Sequence, residues 1–215
     1  MTDSKTIERL PVNEDFARIA DRSALERAVS GLARRGFDAR LVGSAAEARD
    51  IVLGLIPEGS EVGEGATQTI DRIGVSAAVE QGDRFVAIRP RTRAMDRATQ
   101  MREIRKLGAA PDFFLDSVQA VTEDGELVLA SLTGSQLGPI ANGAGRVILV
   151  VGAQKVVPDL EAAFRRVREY CYPLVDAMAR EAYGRGSAVN KTLVLSGDFP
   201  PGRTTVLLVD ESIGM

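Results

Sequence analysis

The 215-residue sequence contains no histidine. Histidine is the usual general base, a frequent metal ligand and the side chain that most often titrates near neutral pH. Any acid–base chemistry must therefore use a carboxylate, a lysine, a tyrosine, a thiol or a cofactor. This absence directs the search for a functional site to the carboxylates and lysines.

Cysteine is almost absent too, since Cys171 is the only one. A single thiol excludes an intramolecular disulfide and any metal or iron–sulfur site made only of cysteines. Cys171 lies on the apolar stripe of a predicted helix, which favours a small core residue over a nucleophile. We therefore predict no metal site and no redox cofactor in this chain.

The sequence also lacks a long apolar run and a strong charge of either sign. No apolar stretch reaches the ~18 residues of a membrane-spanning helix, and the polar N-terminus does not resemble a signal peptide. The net charge of -3 argues against a broad nucleic-acid-binding surface. We expect a cytoplasmic globular protein whose partners are neither nucleic acid nor membrane.

What the sequence does contain is an alternation of amphipathic helices and short apolar strands, which predicts an α/β fold. Residues 147–152, VILVVG, form a continuous β-branched run that is typical of a central parallel strand. We predict a helical segment over residues 1–35, packed on a single α/β domain over residues 36–215. The central sheet of that domain would be parallel-rich and flanked by helices. Further strands are predicted at residues 38–42, 85–89, 112–116, 192–196 and 204–210.

Local patterns predict where some helices begin and break. Ser23 is predicted to cap a helix, with Glu26 completing a capping box. A long helix is predicted over residues 157–183, with an interruption at Pro173. Its apolar stripe would face the core, and its arginines, Arg166 among them, would face solvent.

Residues 60–74 are rich in glycine and threonine, and a short strand is predicted at the start of this stretch, with a short helix after it. Gly63 and Gly65 would let the backbone approach a ligand closely, and Thr67 and Thr69 would add hydroxyl groups beside a helix N-terminus. The alternative is a tight strand-to-helix turn in which Thr67 is an N-cap.

Two charged residues are predicted at the ends of strands. Asp116 ends the strand at residues 112–116, and Lys155 follows the run at residues 147–152. Because α/β proteins place ligand sites at the carboxyl ends of parallel strands, both are predicted to line a site for an anionic ligand. The alternative for Lys155 is simple exposure to solvent.

The loop at residues 133–136 combines hydroxyl, amide and backbone N–H donors, which suit an oxyanion or a phosphate. Its four residues, all predicted to bind ligand, are Thr133, Gly134, Ser135 and Gln136. The alternative is N-capping of a short helix by Thr133 or Ser135.

Glu123 and Asp124 lie in a turn between two apolar runs, SVQAVT and ELVLAS, which predict a hairpin. Without histidine, these carboxylates are the candidates for a catalytic acid, base or nucleophile. The alternative is that both are turn formers, because Asp124 precedes Gly125 and aspartate tolerates a left-handed backbone.

Several of these blocks together resemble the LUD-domain family, and within it the lactate utilization protein C group. In chain order the matching blocks are GATQTIDRIG, FFLDSVQAVTEDGEL, TGSQ, VILVVGAQKVVPDLEAAFRRVRE and RTTVLLVDESIGM. The resemblance implies a fold similar to those of ribose-phosphate isomerases, glucosamine-phosphate deaminases and CoA transferases. It also implies a site at the carboxyl ends of the strands.

The resemblance implies an accessory subunit with an anion-binding pocket, which works beside iron–sulfur subunits in oxidising L-lactate to pyruvate. Many family members carry Gly-Asn-Arg where this chain has Gly134, Ser135 and Gln136. Many also carry a C-terminal cysteine cluster, and the corresponding region here has no cysteine. An iron–sulfur cluster would therefore reside in a partner subunit.

Two other functions stay open at this point. The related folds favour an independent isomerase, hydrolase or transferase that acts on an anionic metabolite such as a sugar phosphate or a CoA ester. A ligand-sensing module without chemistry is the other alternative. Assembly of the chain into a homo-oligomer is compatible with each of them, and a fold alone does not choose among functions.

Overall fold

A computed structural model describes residues 10–215 of the chain, so residues 1–9 of the predicted helical segment lie outside the described residues. The strands are β1 (Asp38–Val42), β2 (Glu61–Glu64), β3 (Val86–Ala87), β4 (Phe113–Asp116), β5 (Ala120–Thr122), β6 (Leu127–Ser131), β7 (Arg146–Gly152), β8 (Val156–Val157), β9 (Lys191–Leu195) and β10 (Thr204–Val209). The α-helices are α1 (Arg22–Arg34), α2 (Ala45–Leu55), α3 (Gln68–Arg72), α4 (Val75–Gln81), α5 (Ile88–Arg93), α6 (Met101–Ala109), α7 (Leu160–Arg166) and α8 (Tyr172–Tyr183). Short 3₁₀ turns occupy Glu14–Ala17 and Ala153–Lys155, and π-helical turns occupy Pro139–Gly143 and Val167–Cys171.

Six strands form a parallel sheet in the order β1-β10-β7-β4-β2-β3. β7 lies inside it and pairs with β10 and β4, which confirms the central strand predicted at residues 147–152. Helices pack on both faces, so the predicted parallel-rich α/β fold is confirmed. Within residues 10–215, none of the helices combines the length and the apolar character needed to cross a bilayer.

A second, smaller sheet has the order β8-β5-β6-β9. β5 and β6 pair antiparallel, which confirms the predicted hairpin, and β8 joins β5 in parallel. The last two strands, although adjacent in sequence, lie in different sheets: β9 pairs with β6 and β10 with β7. Their burial agrees with this separation, because β10 is buried along its whole length and β9 is not.

Two apolar clusters cover the two faces of the large sheet. Alternate residues of β7 point to opposite faces, so Leu149 packs in one cluster and Ile148 in the other. α1 contributes Leu25 and Leu32 to the first cluster, and both side chains are fully buried. Burial of one such side chain stabilises the fold by ~1.5–3 kcal/mol. The α1 helix is therefore part of the same core as the sheet.

Three local predictions have different outcomes. Asp21 caps α1 through a hydrogen bond from the Ala24 N–H at 2.8 Å, so the prediction that Ser23 is the cap is wrong. The strand predicted at residues 85–89 shortens to β3, because α5 begins at Ile88. Pro173 lies in the first turn of α8, directly after a π-helical turn, which confirms the predicted interruption.

Candidate functional site

A narrow cavity of about 60 Å³ lies beside the carboxyl ends of β2 and β4 and the turn that follows β7. Parallel strands bring these ends to one edge of the sheet, which is where α/β proteins place ligand sites. Five of the residues predicted from the sequence to bind ligand line this cavity. They are Thr67, Thr69, Asp116, Gln136 and Lys155.

Lys155 is buried at the cavity wall, with 3 % of its surface exposed. Its Nζ donates hydrogen bonds to Thr69 Oγ1 at 2.9 Å and to Ser117 Oγ at 2.8 Å. Ser117 Oγ donates its own proton to the Val150 carbonyl at 2.6 Å, so its oxygen is free to accept from the lysine. Burial, followed by the nearby charge of Arg166, lowers the pKa of Lys155 to about 7.

Asp116, the last residue of β4, is buried in the same wall. Burial raises the pKa of its carboxyl group to about 7, against the opposing effects of the Ser117 N–H and the charge of Lys155. The Ser117 N–H donates to Asp116 Oδ1 at 2.7 Å. Asp116 and Lys155 therefore both titrate near neutral pH, and each influences the other.

Gly65 and Gly63 serve the packing around Asp116. A Cβ atom at residue 65 would overlap the Asp116 carboxylate, and one at residue 63 would lie 2.9 Å from the Phe114 ring. The lack of a side chain at Gly65 thus makes room for a buried carboxylate. Thr67 caps α3 by accepting a hydrogen bond from the Thr69 N–H at 3.3 Å, in addition to lining the cavity.

Glu64, between the two glycines, is directed into a buried ion pair. Its side chain is 1 % exposed and accepts a hydrogen bond from Arg89 Nη1 at 2.8 Å. Burial raises the pKa of Glu64, and Arg89 opposes that rise. Arg89 also contacts Glu80 and Asp71, so a network of charges lies behind the wall that holds Asp116.

Arg166 corrects a prediction, because its side chain is fully buried and does not face solvent. Its Nη1 donates to the Gln119 carbonyl and to Cys171 Sγ at 3.1 Å, and its Nε donates to the Gln154 carbonyl at 3.3 Å. Its Nη2 has no hydrogen-bond partner in the described part of the chain. The guanidinium also lies over the Tyr170 ring, 5.0 Å from its centre, which gives a buried cation a favourable neighbour.

Cys171 is buried, as predicted, and it also lines the cavity. Burial raises the pKa of the thiol, while the charges of Arg166 and Lys155 oppose that rise. Three further polar side chains line the cavity and were not predicted from the sequence: Gln68, Ser117 and Gln119. Ser117 and Gln119 lie one and three residues after Asp116, so their closeness to it along the chain was the available signal.

The loop at residues 133–136 contributes only Gln136 to the cavity. Gln136 Oε1 accepts a hydrogen bond from Ser131 Oγ at 3.0 Å. Thr133 and Ser135 are exposed and bond to each other at 3.2 Å. Gly134 adopts φ 84° and packs against the Lys191 side chain. The four residues thus divide between a turn and the site.

Glu123 and Asp124, the predicted catalytic carboxylates, lie in the β5–β6 turn and do not line the cavity. Glu123 pairs with Arg27 of α1, and the Asp124 carbonyl accepts a hydrogen bond from Arg35 at 2.7 Å. The Asp124 side chain is 79% exposed. These contacts hold the hairpin against α1. The carboxylate that lines the cavity together with Lys155 is that of Asp116.

Comparison with known proteins gives a family and a fold. The LUD domain family matches residues 25–209 of this chain. The crystal structure of a DUF162 family protein from Deinococcus radiodurans, at 1.70 Å resolution, superposes with a TM-score of 0.53 and 15% sequence identity. That match covers 89% of this chain and 99% of the other, and at this identity it carries the fold alone. No curated protein matches the chain. Because the family match spans most of the sequence, including the strands and turns that build the cavity, this chain belongs to the LUD-domain family.

Proposed function

We propose that this chain is a subunit of an L-lactate utilization system and binds a small organic acid in the cavity lined by Asp116 and Lys155. The LUD-domain family is associated with lactate utilization. The observation that carries the proposal is a buried lysine and a buried carboxyl group, each with a pKa of about 7, in one small cavity. With one cysteine and no histidine, the chain offers few ligands for an iron–sulfur cluster, so electrons pass to a partner subunit.

The size of the cavity supports a small ligand. Its volume of about 60 Å³ is well below the ~300–1,000 Å³ of pockets that enclose larger cofactors and drug-sized ligands. A carboxylate ligand would stabilise the protonated form of Lys155, and Arg166 would add positive potential from behind the wall. Gln68, whose buried Oε1 has no partner in the described part of the chain, would accept a hydrogen bond from the hydroxyl group of a 2-hydroxy acid.

The pair of titrating groups also supports proton handling. Oxidation of a 2-hydroxy acid to a 2-oxo acid removes the hydroxyl proton together with two electrons and the proton on carbon. A group with a pKa near 7 both accepts and releases a proton efficiently at neutral pH. Asp116 and Lys155 would therefore take the hydroxyl proton at the cavity and return it to solvent between turnovers.

The first test is genetic and biochemical. We expect deletion of the gene to abolish growth on L-lactate and to spare growth on glucose. Wild-type chain and the Lys106→Met variant, which changes an exposed lysine of α6, should restore growth, and Lys155→Met should not. The tagged wild-type chain should co-purify with an iron–sulfur protein. Unchanged growth of the deletion strain on L-lactate would refute the proposal.

The same pair of residues supports a second candidate, an independent enzyme that moves a proton within a small anionic metabolite. Two groups that titrate near pH 7 in one cavity are the acid and base that such an isomerisation needs. The two candidates differ in what the purified chain does alone. Exchange of substrate hydrogen with deuterated water, by the isolated chain and without an electron acceptor, would favour the enzyme.

A further inference from the structure

Lys155 differs from a lysine that serves only to neutralise a buried carboxylate. Within residues 10–215 its Nζ forms no ion pair, and its hydrogen-bond partners are the hydroxyls of Thr69 and Ser117. A neutral amine has two protons to donate and a lone pair left over. When both protons are donated to these hydroxyls, the lone pair is held at a cavity wall in a fixed position. A buried amine with an available lone pair is the arrangement of a nucleophilic lysine.

The neighbours of Lys155 supply a general acid, a nearby positive charge and shielding from water, which favour reaction of a neutral amine. Asp116 lines the same cavity, and its buried carboxyl group holds a proton up to about pH 7, so it can act as a general acid there. Arg166 is close enough to lower the pKa of Lys155 without donating a hydrogen bond to it. Gly214 and Met215 pack beside Thr69 and at the cavity wall, so the amine is shielded from bulk water.

We propose that Lys155 captures a small carbonyl compound, of the 2-oxo acid class, as a covalent imine in this cavity. Amines of this kind react with aldehydes and ketones, and the cavity leaves room for a small one only. The choice of a 2-oxo acid rests on the proposed function, because a 2-oxo acid is the oxidised form of a 2-hydroxy acid. The covalent bond itself rests on the geometry of Lys155.

The reaction balances without an oxidant or a reductant. The nitrogen lone pair forms the N–C bond, and the carbonyl π electrons move to oxygen. That oxygen leaves as water after it gains two protons, which in net come from the amine. Asp116 carries one of them, since it gives its carboxyl proton to the departing oxygen and regains a proton from nitrogen. The products are one imine and one water, and hydrolysis reverses each step.

Lys155 differs from the other lysines of the chain in the fraction of its amine that is neutral at pH 7. The others are Lys5, Lys106 and Lys191. With a pKa of about 7, roughly half of Lys155 is neutral at pH 7. An ordinary lysine with a pKa of ~10.4 is neutral in only roughly one molecule in 2,500 at that pH. The chain thus contains its own internal controls for any labelling experiment.

The test is reductive trapping of the full-length protein. The chain is incubated at pH 7 with pyruvate and cyanoborohydride, and the modified residue is located by peptide mass spectrometry. We expect one carboxyethyl group per chain, on Lys155, formed at least ~10-fold faster than on the other lysines because of its larger neutral fraction. L-Lactate, which has no carbonyl group, should leave no adduct.

Variants extend the test. In Lys106→Met, Lys155 should be labelled at the wild-type rate, and in Asp116→Asn it should be labelled more slowly because the general acid is missing.

No adduct on wild-type Lys155, or labelling spread evenly over all lysines, would overturn the imine proposal. Both outcomes are measured on the wild-type protein, so neither depends on the folding of a variant. If growth on L-lactate requires the gene and no adduct forms, only the imine fails. If the adduct forms and growth is unaffected, only the proposed function fails.

Discussion

Gly65 and the carboxylate of Asp116 lie so close together that no Cβ atom fits between them. Gly65 is therefore required because a side chain there would overlap the Asp116 carboxylate, and not because the backbone needs the conformational freedom of glycine. The contact joins the turn after β2 to the end of β4, and it holds the buried carboxyl group in the wall that Lys155 shares.

This contact predicts that Gly65→Ala lowers stability and displaces Asp116. The added methyl group must push the carboxylate or the backbone aside, which costs ~1–3 kcal/mol in a packed interior. Urea denaturation measures the loss. Gly54→Ala is the matched control, because a Cβ there meets nothing within 4 Å and alanine is favoured in a helix interior by ~0.5–1 kcal/mol. Equal stability of the two variants would contradict the prediction.

Lys155 should make the free energy of unfolding rise with pH above neutrality. Its pKa is about 7 in the folded protein and ~10.4 in an unfolded chain. Between these values the unfolded state binds more protons, so stability increases by up to ~1.4 kcal/mol per pH unit. The charged and titrating groups that act on Lys155 are Arg166, Cys171, Asp116 and Arg72.

Urea denaturation of the wild type and Lys155→Met at pH 7 to 10 tests this linkage. The wild type should gain stability relative to Lys155→Met as the pH rises, since methionine does not titrate. Lys106→Met controls for the loss of a lysine on an exposed surface. A difference between wild type and Lys155→Met that stays constant over this range would show that the buried amine keeps an ordinary proton affinity.

Asp116→Asn should stabilise the fold at neutral pH while it impairs the site. The pKa of Asp116 is about 7 in the folded protein and ~3.9 in an unfolded chain. From pH 4 to 7 the folded state binds more protons, so the wild type loses stability as the pH rises. Asparagine escapes this loss, and its Oδ1 still accepts from the Ser117 N–H.

The measurement is the melting temperature of both proteins at pH 5 and pH 8. The advantage of Asp116→Asn should be larger at pH 8. Asp50→Asn, at an exposed position of α2, is the control for loss of a carboxylate. A larger advantage at pH 5 would reverse the sign of the prediction and place the pKa shift of Asp116 in the opposite direction.

Arg166→Met should raise the pKa of Lys155. The guanidinium charge is the second cause, after burial, that lowers this pKa, so its removal lets the amine hold its proton to higher pH. The midpoint pH for labelling of Lys155 by a small amine-reactive reagent should shift upward. Arg165→Met, which removes an exposed arginine paired with Glu169, should leave that midpoint in place.

The residues that line the candidate site could be predicted from the sequence where they lie at strand ends. Asp116 ends an apolar strand and Lys155 follows another, and parallel strands bring such ends together. The turn carboxylates Glu123 and Asp124 have equally suggestive positions in the sequence. The local sequence pattern does not distinguish a turn that contacts a helix from a turn that lines a cavity. The position of this turn depends on its packing against α1.

The burial of Arg166 could not be predicted from its charged side chain, although its position in the helix indicated it. It falls on the stripe of buried residues Ala163, Val167, Tyr170 and Cys171, at steps of three and four. A charged residue on such a stripe is expected to face solvent, because burial of a cation is costly. Here two backbone carbonyls and an aromatic ring receive the guanidinium, and both carbonyls are distant in sequence.

Those two carbonyls lie in segments that flank the strands. Gln119 leads into β5 of the small sheet, and Gln154 lies in the turn that joins β7 of the large sheet to β8 of the small one, so a single guanidinium group ties the start of β5 to the connection between the sheets. Moving these two segments apart would break buried hydrogen bonds that water cannot readily replace. Gln119 lines the cavity and Gln154 directly precedes Lys155, so this buried contact sets the spacing between two segments of the cavity wall.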